Sequence, residues 1–165
     1  MPTVTAAEAA PAGSAWPQPL PTPRVLYVAE PPAMWHTRSP VVVDCSVLVA
    51  CLFGEPQAED AQALIIGKAL HAPTLLPFEL SNVARSKLRA GAPRAAVEDA
   101  MQEFADQRFQ LHPAPPLALL ALADSFDISA YDAAYLWLAA ELQAPLVTFD
   151  RRLAAAAQRH LGNIP

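Results

Sequence analysis

Short apolar segments alternate with segments of helical periodicity from residue 41 onward, and this alternation constrains the fold more than any other feature. Residues 41–43 form an uninterrupted apolar run that ends at Asp44, which is typical of a strand buried in a parallel sheet. A helical pattern follows over 46–53 and ends at Gly54. Repeated alternation of this kind predicts an α/β fold in which helices cover both faces of a mostly parallel sheet.

The remaining segments continue the alternation to the end of the chain. Three further strands are predicted over 70–72, 108–111 and 145–149. Six further helices are predicted over 57–68, 77–89, 93–107, 115–125, 129–142 and 151–159. Proline suits the first turn of a helix, and Pro77 stands where one of these helices is expected to begin.

The composition indicates a folded domain that is preceded by a proline-rich segment. Of the 165 residues, 53% are hydrophobic and 16% are charged, which excludes a chain that is disordered throughout. Nine of the 18 prolines fall within residues 1–40, and proline-rich sequence favours an extended, poorly packed chain. We therefore predict a flexible, proline-rich N-terminal extension over 1–38 and one domain over 39–165. The alternative is a docking arm in which residues 24–28 form a short strand.

Sequence features also bear on the compartment. No run of 18 residues is uniformly apolar, so no transmembrane helix is expected, and the N-terminus lacks the pattern of a secretory signal. Cys45 and Cys51 suggest no disulfide framework. These features predict a soluble, cytoplasmic protein with no membrane partner. The net charge of −5 argues against a broad nucleic-acid-binding surface but leaves room for a concentrated acidic site.

Asp44 and Asp150 each follow a predicted apolar strand directly. Ligands of open α/β sheets bind outside the carboxyl ends of the strands. Both acids therefore lie at the same edge of the sheet if their strands are parallel and close together. The local alternative for each residue is a helix N-cap, because aspartate accepts hydrogen bonds from the free amides of a first helical turn.

Asp132 and Glu79 lie on apolar helical faces near the starts of their helices. Asp132 is the only charge within 130–140 and shares a face with Tyr135. A buried carboxylate is costly unless it is paired or bound to a metal. The local alternatives are a capping box in which Asp132 binds back to the Ser129 amide, and a favourable interaction between Glu79 and the helix dipole.

Four carboxylates at one edge of a sheet would repel one another, and a hard divalent cation would relieve that repulsion. Sites made only of oxygen ligands select Mg²⁺ or Mn²⁺ over zinc. Such an ion completes its shell with waters and phosphate oxygens, activates a water and stabilises charge on a phosphate. The four acids together therefore predict metal-dependent phosphodiester hydrolysis.

Four segments in this order resemble the acidic motifs of PIN-domain ribonucleases, and their size and order most resemble the VapC-type toxins of bacterial toxin–antitoxin pairs. The segments are VVVDCSVLV at 41–49, APTLLPFELSN at 72–82, YDAAYLWLA at 131–139 and LVTFDRRL at 146–153. The resemblance implies a three-layer α/β/α sandwich and a Mg²⁺- or Mn²⁺-dependent endoribonuclease that hydrolyses RNA. It also implies a homodimer and, for a toxin, a cognate antitoxin protein. The proline-rich residues 1–40 depart from the pattern of a typical toxin.

The resemblance assigns roles to individual positions. The acidic positions of the catalytic metal site are matched by Asp44, Glu79, Asp132 and Asp150. Asp44 and Asp132 are expected to bind the metal directly. Glu79 and Asp150 are expected to bind it or to orient its waters. Ser46 and Thr148 match small hydroxyl positions that support such sites.

Basic residues bracket the acidic motifs and are the predicted RNA contacts. They are Arg85, Lys87, Arg89, Arg151 and Arg152. The alternative for them is a solvated helix face or a surface that meets the antitoxin. The four histidines are scattered along the sequence without a ligand or acid–base spacing, and Cys45 is expected to turn away from the site into the core.

Two other functions remain open. One is a PIN-like domain that acts mainly as a protein- or RNA-binding module without cleavage, although the presence of all four acids argues against it. The other is a metal-dependent phosphatase that uses Asp44 as a covalent nucleophile. A second acid two residues later would favour a phosphatase, but Ser46 stands there.

Overall fold

The computed structural model describes residues 38–162, so the predictions for the N-terminal extension, including the strand at 24–28, lie outside the described residues. The strands are β1 (Pro40–Val43), β2 (Ala69–Pro73), β3 (Phe109–His112) and β4 (Leu146–Val147). The helices are α1 (Cys45–Leu52), α2 (Ala58–Ile65), α3 (Leu76–Arg89), α4 (Arg94–Asp106), α5 (Pro116–Phe126), α6 (Ala130–Glu141) and α7 (Arg151–Leu161).

The four strands form one sheet in the order β3-β2-β1-β4, and each neighbouring pair is parallel. The central strand β1 pairs on both sides, with Val42 opposite His71 in β2 and opposite Leu146 in β4. Because β1 and β4 are parallel neighbours, their carboxyl ends lie side by side. This arrangement brings the segments that begin at Asp44 and Thr148 to the same edge of the sheet.

The helices fall into two packed groups around this sheet. Helix α1 packs with α2, α3 and α4, whereas α6 packs with α5 and α7 and against β1, β2 and β4. The predicted three-layer α/β/α fold with a parallel sheet is confirmed. The core includes Val42 and Val43 from β1 and Leu136 and Leu138 from α6, all at most 1% exposed. Burying a side chain of this size stabilises the fold by about 1.5–3 kcal/mol.

The structure differs from the predicted elements mainly at their ends. Strand β4 ends at Val147 rather than at residue 149, because the amide of Asp150 bonds to the Thr148 side chain instead of joining a strand ladder. Helix α2 ends at Ile65 rather than at residue 68, since Gly67 turns the chain with a φ of +73°. No helix within 38–162 is both long enough and apolar enough to cross a membrane.

Candidate functional site

Asp44 is a nearly buried carboxylate held at the junction of β1 and α1. It is 7% exposed and is the N-cap of α1. Its Oδ2 atom accepts hydrogen bonds from the Ser46 amide at 3.2 Å, from the Ser46 hydroxyl, and from the Thr148 hydroxyl at 2.9 Å. Its Oδ1 atom accepts none from residues 38–162. One oxygen of Asp44 is therefore held by the protein, and the other is free to bind a ligand.

The two hydroxyls that hold Asp44 also join the ends of β1 and β4. The Ser46 hydroxyl accepts a hydrogen bond from the Phe149 amide at 3.0 Å, and the Thr148 hydroxyl accepts one from the Asp150 amide at 2.9 Å. Each hydroxyl thus donates to the carboxylate of Asp44 and accepts from the loop after β4. The network fixes that loop against the carboxylate.

Glu79 lies in the first turn of α3 and is fixed by a residue of α6. The buried Tyr135 hydroxyl donates to its Oε2 atom at 2.6 Å. Burial is the main cause that raises the pKa of Glu79. The hydrogen bond from Tyr135 opposes this shift, and the charges of Asp44 and Asp132 add to it. Three of the four predicted acids therefore share one electrostatic environment.

Asp132 lies in the first turn of α6, and it takes part in capping this helix together with Ser129. Its amide donates to the Ser129 hydroxyl at 3.0 Å, and that hydroxyl donates to its Oδ2 atom at 2.8 Å. The carboxylate therefore binds back to the Ser129 side chain rather than to the Ser129 amide. Its Oδ1 atom accepts no hydrogen bond from the described part of the chain. Asp132 can therefore cap its helix through Oδ2 and still offer Oδ1 to a ligand in the site.

Asp150 is the N-cap of a helix, which is the alternative role that the sequence offered for it. Its Oδ1 atom accepts hydrogen bonds from the amides of Arg152 at 2.7 Å and Leu153 at 2.9 Å, which makes it the N-cap of α7. The interactions that shift the pKa of Glu79 do not include Asp150. The structure thus couples three carboxylates electrostatically and places the fourth on the neighbouring loop.

The donor set can be tested against the metal that the sequence predicts. Within residues 38–162, no three His, Cys, Asp or Glu side chains form a group that could hold a metal ion by themselves. Asp44, Glu79 and Asp132 each keep one oxygen with no hydrogen-bond donor from the described residues. Mg²⁺ is commonly held by one or two carboxylates and keeps several of its waters. These residues fit an ion of that kind and do not form a closed cage.

An open cleft of about 590 Å³ lies at this edge of the sheet. Glu79, Ser46 and Phe149 line it, together with Cys45. The prediction that Cys45 turns away from the site is wrong, because this residue begins α1 instead of ending the strand. It nevertheless belongs to the core, and burial raises the pKa of its thiol to about 12, with smaller contributions from Glu79 and Asp44. At neutral pH the protonated thiol is a poor nucleophile.

Comparison with known proteins decides the family. The model of the PIN domain family matches residues 41–159, from β1 to α7. This chain belongs to the PIN-domain family. Ribonuclease VapC9 of Mycobacterium tuberculosis is 33% identical over 119 residues, which cover 72% of this chain and 91% of that protein. Ribonuclease VapC3 of Pyrobaculum aerophilum is 29% identical over 120 residues, which cover 69% and 92%. The VapC-type resemblance is confirmed.

A solved structure supports the same fold. The crystal structure of PAE2754 from Pyrobaculum aerophilum superimposes with a TM-score of 0.59 at 23% identity, covering 78% of this chain and 92% of that one. The matched length in all these comparisons is that of one PIN domain. The region of this chain before residue 41 lies outside the family match.

Two of the five predicted RNA-contacting residues form ion pairs with acidic side chains of the PIN domain. Lys87 pairs with Glu55 at 3.0 Å, and Arg152 pairs with Asp127 at 3.2 Å. The three others are exposed and form no ion pair with residues 38–162. They are Arg85, Arg89 and Arg151. Surface ion pairs of this kind are weak, so the two engaged residues can exchange partners.

Sequence analysis missed two pairs of residues that meet in the PIN domain. The sequence places Tyr135 on the same helical face as Asp132, but its bond to Glu79 spans 56 positions and has no local signal. The histidines are scattered along the sequence, but His71 Nδ1 lies 2.9 Å from His112 Nε2 across β2 and β3. Because Tyr135 shares a helical face with Asp132, the sequence indicates that its hydroxyl lies near the acidic site. The contact between His71 and His112 depends on the register of β2 and β3.

Proposed function

We propose that this PIN-domain protein is a Mg²⁺- or Mn²⁺-dependent endoribonuclease that hydrolyses phosphodiester bonds in RNA, and that it is the toxin of a type II toxin–antitoxin pair. The observation that carries the proposal is the cleft at the carboxyl edge of the sheet, which Glu79 lines together with Ser46, the residue whose hydroxyl donates to Asp44. Its relatives, which it matches over most of their length, are named ribonucleases. An acidic edge suits a divalent ion and a phosphate better than it suits a phosphate alone.

The roles of the acids follow from which oxygens the protein already holds. We assign Asp44 and Asp132 as direct metal ligands through their free oxygens, and Glu79 and Asp150 as ligands or as residues that orient metal-bound waters. When bound, the ion activates a water and stabilises the charge that develops on the phosphate. None of these carboxylates needs to form a covalent bond to the substrate.

The supporting residues keep the carboxylates in place. Ser46 and Thr148 hold one oxygen of Asp44, so that its orientation does not depend on the ion. Partners of this kind are expected to affect metal affinity without touching the metal. The RNA backbone would be held by Arg85, Arg89 and Arg151, which have no competing ion pair among the described residues.

The proposed partners follow from the same assignment. An antitoxin would place a segment in the acidic cleft, where an arginine can form paired hydrogen bonds with a carboxylate. A homodimer is proposed because α5 leaves Leu117 and Leu120 exposed, at 81% and 65%. We place the protein in the cytoplasm, where RNA substrates are present.

A binding module without cleavage is the second candidate function, and a phosphatase is the third. The retained acids and their held orientations favour cleavage over binding alone. Against a phosphatase with Asp44 as nucleophile, the residue two positions later is Ser46 and not a second acid.

The proposal is tested by incubating purified protein, free of antitoxin, with a mixture of structured RNAs. Parallel reactions contain Mg²⁺, Mn²⁺ or EDTA, and the variants are Asp44→Asn and Asp132→Asn. Asp124→Asn, an exposed acid on α5, is the matched control. We expect metal-dependent cleavage by the wild type and by the control, and loss of cleavage in both site variants. Cleavage that persists in EDTA or in Asp44→Asn would contradict the proposal.

A further inference from the structure

Three basic residues gather at the amino edge of the sheet, opposite the acidic cleft. Lys68 and Arg108 directly precede β2 and β3, and Arg38 lies two residues before β1. These three strands are parallel neighbours. Because neighbouring strands lie about 4.8 Å apart, the residues at their starts are close in space. The topology therefore brings together basic residues that the sequence separates widely.

All three residues line one cavity of about 370 Å³, a volume typical of sites for small ligands. Gln107 and Gln110 line it as well, and their side-chain amides carry N–H donors. No Asp or Glu of the described chain lines this cavity, although the protein has 16 acidic residues against 11 basic ones. The lining of this basic cavity therefore suits a negatively charged ligand.

The charges of the basic cavity are not neutralised by the described residues around it. Arg38, Lys68 and Arg108 are exposed, and none of them forms an ion pair with residues 38–162. The acid nearest to Arg108 in sequence is Asp106, whose carboxylate accepts a hydrogen bond from Gln102 within α4. Like charges at one edge repel one another, and a bound anion relieves that repulsion.

One of the three cations is already held in position. The Lys68 ammonium donates to the Ser39 hydroxyl at 3.0 Å, across the start of β1 and β2. An ammonium has three N–H donors, so two remain for a ligand. The guanidinium groups of Arg38 and Arg108 add planar sets of donors that match phosphate oxygens.

The shape of the cavity indicates which kind of anion it binds. A nucleic-acid backbone carries one charge per nucleotide and spreads its charges along its length. A polyphosphate carries several charges within one group of atoms. Three cations around one concave volume therefore suit a polyphosphate better than they suit a run of phosphodiesters.

We propose that Arg38, Lys68 and Arg108 form a binding site for a compact polyphosphate group, such as the triphosphate of a nucleotide. A free nucleoside triphosphate and the 5′-triphosphate end of an RNA both carry this group. A strand of five residues, such as β2, spans about 17 Å, so this ligand lies at the far end of the sheet from the acidic cleft. The site is separate from the proposed ribonuclease centre and does not depend on that assignment.

The experiment is a calorimetric titration of inorganic triphosphate into the full chain at low salt. EDTA is present throughout, so that no divalent ion can recruit phosphate to the acidic cleft. The variants Arg38→Gln, Lys68→Gln and Arg108→Gln each remove one charge of the basic cavity. Arg94→Gln removes an equal charge from an exposed residue of α4 that does not line the cavity, and it is the matched control.

We expect the wild type to bind triphosphate at least about 10-fold more tightly than orthophosphate, because one phosphate cannot reach all three cations. Each cavity variant should weaken triphosphate binding by about 10-fold, since it removes a charge-assisted hydrogen bond. The control should bind like the wild type. Ser39→Ala removes the bond to Lys68 but keeps every charge, so it should retain binding even if it lowers the melting temperature.

Two further ligands distinguish the sources of the group. ATP and a short RNA with a 5′-triphosphate should both lose affinity in Arg108→Gln if either source is accepted, and only one of them should if the site selects its source. The same RNA with a 5′-hydroxyl should be unaffected by the substitution. Three results would overturn the site: no binding of triphosphate by the folded wild type, unchanged binding in all three cavity variants, or equal weakening in Arg94→Gln.

Discussion

At the scale of single residues, the Tyr135 hydroxyl links two helices of the site. It belongs to α6, as Asp132 does, and it donates to Glu79 of α3. Hydrogen bonds to charged groups are stronger than those between neutral groups. The hydroxyl therefore orients a carboxylate that is partly removed from water and lies near two like charges.

Tyr135→Phe keeps the buried ring and removes only this hydroxyl. We expect the free energy of unfolding to fall by about 1–3 kcal/mol, because Glu79 loses a partner in a half-buried position. We also expect the affinity for Mn²⁺ to fall about 10-fold, since a less oriented carboxylate binds a metal less well. Urea denaturation and calorimetry measure the two quantities. Tyr131→Phe, which removes an exposed hydroxyl, is the control, and an unchanged Mn²⁺ affinity in Tyr135→Phe would refute the orienting role.

His71 makes the stability of the domain depend on pH. Burial, and then the nearby His112, lower its pKa below the usual value of 6.5. The folded chain thus resists a proton that the unfolded chain accepts near pH 6.5. Stability is therefore complete above about pH 6.5 and decreases as the pH falls below it.

Urea denaturation between pH 8 and pH 5 checks this expectation by measuring the free energy of unfolding. His71→Gln should flatten the decrease below about pH 6.5, because the group that resists protonation is gone. His160→Gln, in a residue that packs against Phe126 on its ring edge, should keep the decrease. A wild-type stability that rises on acidification through this range would contradict the account.

At the scale of elements, the site depends on how two parallel strands end. The Thr148 hydroxyl donates to Asp44 at the end of β1 and accepts from the Asp150 amide before α7. One side chain therefore connects the carboxylate to the cap of the last helix. The short length of β4 follows from the same bonds, because the backbone after Val147 is used by side chains and not by the sheet.

Thr148→Val has nearly the shape of threonine and removes both bonds. We expect the free energy of unfolding to fall by about 1–3 kcal/mol, because Asp44 loses one of its three donors and the Asp150 amide loses its acceptor. Thr148→Ser keeps the hydroxyl and is expected to lose much less. Denaturant titration of the two variants compares them directly, and equal losses would show that the methyl group rather than the hydroxyl stabilises the junction.

The elements themselves could be predicted from local patterns, but some of their ends could not. Apolar runs and helical periodicity identify every strand and helix described, since each pattern lies within one element. The end of β4 depends in part on a bond from the Phe149 amide to the Ser46 hydroxyl, 103 positions away. Gly54, in contrast, marks the end of α1 locally, because its φ of +60° is a conformation that glycine adopts readily.

At the scale of the whole molecule, the alternation of strand and helix patterns predicts the parallel α/β fold, and the order of four acidic motifs indicates the family. The arrangement of the acids in space was harder to predict, because Asp132 and Asp150 have local capping partners that the sequence shows equally well. The bond between Tyr135 and Glu79 and the contact between His71 and His112 required the tertiary fold.

Asp44 and Asp132 are the proposed ligands of a divalent metal at the carboxyl edge of the sheet. Calorimetric titration of Mn²⁺ into the wild type, Asp44→Asn, Asp132→Asn and the control Asp124→Asn tests this assignment. We predict binding by the wild type and the control, and affinities at least about 10-fold weaker in both site variants, since each variant removes a charged ligand. Binding that is equal in all four proteins, or absent from the folded wild type, would contradict the claim.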